Sequence, residues 1–156
     1  MTPRVGQGYD IHPFTDDPDR HLVLAGVVLP GPGLAGHSDA DVVAHAVADA
    51  LLGAAGLGDI GSHFPDTDQA FAGVDSMELL ARVVIEVTAD HVIGNVDLTV
   101  LLEAPKLAPH KAEMERQLSG VVGAPVSVKA KRGEGLGPIG RREGIACLAV
   151  ALIERR

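Results

Sequence analysis

Between residues 39 and 56 the chain carries an Ala-rich apolar segment of helix length, and Asp41, His45 and Asp49 recur on it at a spacing of four, on one helical face. A helix this apolar on its other faces has to be covered, and Ser38 followed three positions later by Asp41 resembles its opening cap. The apolar run falls short of the roughly 20 residues that cross a bilayer. The covering therefore comes from the same chain. Residues 5–12, 22–29, 96–103 and 126–131 read as strands. The first two are expected to pair as a hairpin across the turn-rich Thr15 to Asp19. Asp75 with Glu78 opens a second helix to about residue 90, and a weaker helix is expected over 109–119. The glycine-rich 132–141 reads as a loop, and 145–153, apolar on both parities, as a strand covered on both faces. The expected fold class is α/β, an α+β two-layer sandwich in which helices cover one face of one mixed sheet. The other face then needs a partner, so an oligomer is expected. At 156 residues the chain has room for one core, giving one domain over 1–156.

Composition narrows the chemistry. A net charge of -8 has the wrong sign for general binding to nucleic acid or an anionic membrane, so neither is an expected partner. An anionic ligand would have to be held by local cations, a metal or backbone amides. With Cys147 as the one cysteine there is no intrachain disulfide, and the first residues lack a signal peptide's apolar run, so a cytoplasmic location is expected. With no Trp, one Tyr and three Phe, the core falls to Val, Leu, Ile and Ala, and surfaces for stacking bases are scarce.

Asp10-Ile11-His12 lies near the end of the first strand, where side chains two apart project to the same side and can converge on one cation. The plain alternative is a polar strand end. His45 could add a third ligand, with Asp49 as its orienting partner, or could be a satisfied core histidine. A set of Asp10, His12 and His45 would leave one tetrahedral position open, as catalytic zinc does. Lys131-Arg132-Gly133-Glu134-Gly135-Leu136-Gly137 offers two cations, a carboxylate and close-approach glycines to a phosphate, without Walker-type spacing. A solvated, charged loop is the competing reading. The long polar loop Phe64-Pro65-Asp66-Thr67-Asp68 looks functional.

Taken in order, Gly8 to His12, Gly36 to His45, Gly58 to Gly61, Phe64 to Asp68, Ala104-Pro105-Lys106 and Glu143 to Cys147 closely resemble the 2-C-methyl-D-erythritol 2,4-cyclodiphosphate synthases. The resemblance implies a homotrimer with active sites between subunits, its sheets packing together, in non-mevalonate isoprenoid precursor biosynthesis in a bacterial cytoplasm. It implies a metal-dependent phosphorus-oxygen lyase. Such an enzyme converts 4-diphosphocytidyl-2-C-methyl-D-erythritol 2-phosphate to the 2,4-cyclodiphosphate and releases CMP. By resemblance, Asp10, His12 and His45 bind zinc, Glu134 holds magnesium or manganese, and His37 stabilises transition-state charge. Ser38 contacts phosphate. Asp59, Ile60 and Gly61 contact the bound substrate, and Phe64, Pro65, Asp66, Thr67 and Asp68 enclose its methylerythritol part. Leu102, Glu103, Ala104, Pro105, Lys106, Leu107 and Ala108 form the cytidine pocket, with Lys106 a diphosphate contact, and Lys131, Arg132, Gly133, Pro138 and Arg141 are further substrate-binding residues, Pro138 near the trimer axis. The chain departs from the common pattern at Lys131-Arg132, where Thr-Thr is usual, at Pro138, usually aromatic, and at Arg142, usually glycine. Arg132 is expected to replace a threonine's charge stabilisation in catalysis. Two alternatives share the metal site: a zinc-dependent phosphohydrolase, and a trimeric metal- or ligand-binding protein without catalysis.

Overall fold

Two glycines set the spacing of the whole domain. In the computed structural model, which describes residues 2–156, strand β1 (Arg4–Pro13) lies directly against helix α1 (Val42–Ala55). A Cβ on Gly8 would sit 1.8 Å from the Ala46 carbonyl oxygen, and one on Gly6 would sit 2.0 Å from that of Ala50. Only a glycine strand beneath an alanine helix allows this approach. Ten of α1's fourteen residues are buried, which is why its sequence is apolar nearly all round.

Between β1 and α1 run β2 (His21–Leu24) and β3 (Val27–Pro32); after α1 come α2 (Ile60–His63), a single 3-10 turn at Gln69–Phe71, and α3 (Ser76–Thr88). Then follow β4 (His91–Leu101), α4 (Lys111–Val122), β5 (Val126–Lys131), α5 (Gly137–Gly140) and β6 (Gly144–Arg155). The main sheet has the order β1-β6-β4-β5, with β4 and β5 parallel and the other pairs antiparallel. It is therefore the expected mixed sheet, and α1, α3 and α4 cover one face of it.

The expected hairpin of 5–12 with 22–29 does not form. Strand β1 pairs instead with β6 along its full length, from Arg4 opposite Ile153 to Pro13 opposite Gly144. A pairing across most of the chain leaves no local turn signal to read. Residues 22–29 themselves fold back as β2 and β3 around Ala25-Gly26, both left-handed (φ 54° and 72°), as a two-residue hairpin turn requires. Helix α1 begins at Val42 rather than 39, capped by Asp41 and not by Ser38. Asp41 Oδ1 accepts from the amides of Val43 and Ala44 at 3.1 Å and of Ala25 at 2.9 Å, while Oδ2 accepts from Gly26 at 2.8 Å. This fully buried carboxylate ties the helix to the β2–β3 turn, so it does not share a polar helical face with His45. Strand β4 starts at His91, and the 132–141 loop contains α5.

Side chains on the uncovered sheet face continue in register across strands. Tyr9 stands opposite Leu148, and Gln7 opposite Val150. Val5, Tyr9 and Val150 are 68%, 52% and 45% exposed, so β6 is covered on one face only, and not on both as its composition suggested. No helix among the described residues is long and apolar enough to cross a membrane.

Candidate metal centre

Asp10 and His12 follow Gly6 and Gly8 on the helix-facing side of β1. His45 precedes Ala46, whose carbonyl is the atom Gly8 makes room for. The close helix–strand contact thus delivers His45 to Asp10. Asp10 Oδ2 is 3.0 Å from His12 Nε2 and 3.0 Å from His45 Nδ1. One ligand atom from each of the three residues lies within 4.8 Å of the others, and among the described residues no other three His, Cys, Asp or Glu side chains gather this way.

The far nitrogens are committed. His12 Nδ1–H donates to the Ala35 carbonyl at 2.8 Å, so Nε2 is the nitrogen that faces Asp10 and would meet a cation there with its lone pair. His45 Nε2 meets Ser76 Oγ at 2.8 Å and Ser38 Oγ at 3.1 Å, leaving Nδ1 on the Asp10 side. Burial pushes the Asp10 carboxyl upward, but its hydrogen bonds to His12 and His45 outweigh that and hold it below the ordinary range. The bond to Asp10 raises His12 despite burial. One carboxylate oxygen and two imidazole nitrogens, with both Asp10–His edges of 3.0 Å near the ~3.3 Å that four-coordinate bonds of about 2.0 Å imply, fit a divalent ion such as zinc. Asp49, expected to orient His45, instead accepts from the Ile60 amide at 2.7 Å. Its helical spacing from His45 is right, but the loop after α1 folds back and takes its oxygen.

The cluster opens into a cleft of about 470 Å³, which His37, Ser38, Ile60, Gly61, Phe64, Pro65 and Asp66 also line. Of the remaining loop residues, Asp59 caps α2, accepting from the Ser62 amide at 2.8 Å, and the Asp68 carbonyl accepts from His37 Nε2–H at 2.9 Å. Neither they nor Thr67 line this cleft. Gly36, Phe71 and Leu79 do, though nothing in their spacing pointed to them.

A second cleft, about 520 Å³, is lined by Leu102, Glu103, Pro105, Lys106, Leu107, Ala108, Lys131 and Arg132, joined by Ala130 and a further cation, Lys111. Ala104 faces a different groove, beside Phe14 and Arg142. Glu103, with its side chain 5% exposed, accepts from the Gly133 amide and from Arg132 Nη2 at 3.2 Å. Arg132 is therefore partly neutralised by its own chain. Gly133 has no room for a side chain, since a Cβ would lie 2.6 Å from the Gly140 amide nitrogen. Glu134, Pro138 and Arg141 line neither cleft. Glu134 is exposed with φ 54°, apart from the Asp10 cluster, and Arg141 pairs with Glu143 at 2.6 Å.

The register places both clefts at one end of the sheet. Asp10 stands opposite Cys147, Cys147 opposite Val100, and Val100 opposite Ala130. Three strand spacings, about 14 Å, separate the metal ligands from the cationic rim. This α/β sandwich, with a carboxylate–imidazole triad opening into a cleft, defines the class of a metal-dependent enzyme. The profile of the YgbB family matches residues 3–154, and the chain belongs to that family. It is 54% identical over 157 residues to the 2-C-methyl-D-erythritol 2,4-cyclodiphosphate synthase of Thiobacillus denitrificans, covering 97% of each chain. Among solved structures it resembles the CDP complex of Plasmodium falciparum IspF (TM-score 0.86, 33% identity, 99% of this chain and 97% of that one). It also resembles bifunctional IspDF from Campylobacter jejuni (TM-score 0.94, 41% identity), matching 99% of this chain but only 43% of that longer one.

Proposed function

We propose that the chain cyclises 4-diphosphocytidyl-2-C-methyl-D-erythritol 2-phosphate. The 2-phosphate oxygen attacks the β-phosphorus, a new P–O–P link forms, and the bond to the α-phosphate breaks to release CMP. The observation that carries this reading is the convergence of Asp10, His12 and His45 at the floor of a cleft large enough for a phosphorylated polyol. Intramolecular phosphoryl transfer asks for positioning and charge neutralisation more than for a strong base. Zinc held by these three side chains would supply a Lewis acid for the β-phosphate. Ser38, bordering the same cleft, is placed to donate to phosphate oxygens, as is His37 through Nδ1 when both ring nitrogens are protonated and the Asp68 carbonyl holds Nε2–H. Ile60, Gly61 and Phe64 to Asp66 are placed to enclose the methylerythritol part.

The cationic cleft of Lys106, Lys131 and Arg132 suits the cytidine diphosphate arm. It lies about 14 Å from the same chain's metal ligands. A homotrimer in which one subunit's metal cleft meets the next subunit's cationic cleft would close that gap, and the apolar face of Val5, Tyr9, Leu148 and Val150 supplies a surface for it. Glu134 would reach a magnesium or manganese ion on the α- and β-phosphates in that arrangement, as hard carboxylate oxygens do. The reading is tested by ³¹P NMR of the products. A cyclic diphosphate with equimolar CMP is expected, and linear phosphates from the same substrate would replace the synthase with a phosphohydrolase.

A further inference from the structure

The other side of His45 is occupied by groups that the proposed chemistry does not use. Ser76, 1% exposed at the start of α3, has its hydroxyl between His45 Nε2 and an Asp39 carboxylate oxygen. Asp39 is itself fixed: its other oxygen accepts from the Ser76 amide at 3.1 Å, and its first also accepts from the Asp41 amide at 3.1 Å. We propose that Asp39 and Ser76 are positioning residues for the metal, acting through His45. This inference rests on the reading that Asp10, His12 and His45 hold zinc.

Hydrogen-bond direction assigns the protons along this chain. A carboxylate can only accept, so the single Ser76 hydroxyl proton goes to Asp39. The Ser76 oxygen then turns a lone pair toward His45, and the nitrogen facing it must carry the imidazole proton. That keeps a proton on Nε2 and directs Nδ1 to Asp10, so a cation bound there would replace the proton Nδ1 shares with the carboxylate and meet its lone pair. The carboxylate end of the chain also makes the ring a better donor of electron density, the usual effect of an outer carboxylate on a ligating histidine. Asp49, the carboxylate on His45's own helix, makes no hydrogen bond to the ring, whose two nitrogens face Asp10 on one side and Ser76 and Ser38 on the other.

The contacts could instead merely stitch the 37–39 segment to α3, and the test separates the two. Zinc affinity of the full chain is measured by chelator competition for wild type, Ser76→Ala, Ser76→Thr and Asp39→Asn, with ¹⁵N spectra of the imidazoles. We expect Ser76→Ala to weaken zinc roughly 10- to 100-fold and to mix the His45 tautomers, as loss of such outer partners does. Ser76→Thr, which restores the hydroxyl, should recover most of the loss, and Asp39→Asn should fall between wild type and Ser76→Ala. Unchanged zinc affinity in Ser76→Ala would overturn the proposal, with Ser38 Oγ taking over the bond. So would the absence of an Nε2–H signal on His45 in the zinc-loaded wild type, a result needing no variant. A wild type that binds no zinc would instead overturn the functional reading beneath it.

Discussion

At Asp10 one carboxylate oxygen faces two imidazoles, and this arrangement has a definite pH signature. His12 is raised above its ordinary 6.5 by the bond to Asp10, so its contribution to stability is full below 6.5 and lost as pH rises through the raised value. Asp10 is held below 3.8, so its contribution is present above 3.8 and lost as pH falls through the lowered value. The metal-free pair is thus most stabilising between those limits. Zinc must displace the His12 proton, so the rise in Tm on adding zinc should grow as pH increases from about 6 to 8, measured by thermal denaturation. A zinc shift independent of pH in that range would contradict the ligand assignment. Arg132 belongs to the same scale. If its guanidinium reaches the transferring phosphate, Arg132→Ala should lower kcat and kcat/KM together by roughly 2 to 4 kcal/mol, the cost of one electrostatic donor. If Glu103 alone claims it, steady-state kinetics will show both parameters intact. The ligand residues were legible in the sequence because they sit in ordered blocks. Ser76 was not, since its meeting with His45 depends on how α3 docks, which no local pattern reports.

Among the elements, the contact of α1 with β1 controls the site. Gly8→Ala would drive a Cβ into the Ala46 backbone, and unlike a side chain that backbone cannot rotate away. We expect a loss beyond the ~1 to 3 kcal/mol usual for overpacking, together with weakened zinc binding, because lifting α1 carries His45 away from Asp10. Denaturant unfolding and zinc titration check the two together, and a folded variant with wild-type zinc affinity would show that the spacing is not what delivers His45. Asp41 secures the N-terminal end of the same helix. Burial raises its pKa from 3.8 to about 6, so the folded chain favours the neutral acid and the cost of ionising it accrues as pH rises from 3.8 to about 6. Asp41→Asn leaves one backbone amide facing a donor and should cost about 1 to 3 kcal/mol, whereas Asp41→Ala, which strands the helix cap and the turn together, should cost more. The apolar period of α1 was plain from sequence. Its cap was not, because Ser38 and Asp41 carry the same kind of signal and only the buried amides of Ala25 and Gly26 distinguish them. The β1–β6 pairing was equally hidden, being the longest-range contact in the sheet.

Across the whole molecule, what one chain lacks is as informative as what it holds. Its metal ligands and its cationic cleft share one end of the sheet but stand apart, and its open face is apolar around Tyr9, Leu148 and Val150. A charge placed there, as in Val150→Asp, should convert the proposed trimer to monomers in sedimentation while each chain keeps its zinc, with activity lost. A monomeric variant of full activity would show that each chain's site is complete alone.

The central claim is that the attacking oxygen comes from within the substrate. Turnover in ¹⁸O-labelled water, followed by mass spectrometry of the products, measures this directly. Cyclisation places no solvent oxygen in either the cyclic diphosphate or CMP, and that is the predicted result. Incorporation of ¹⁸O into a phosphate at the rate of CMP release would mean that water is the nucleophile, and would contradict the account.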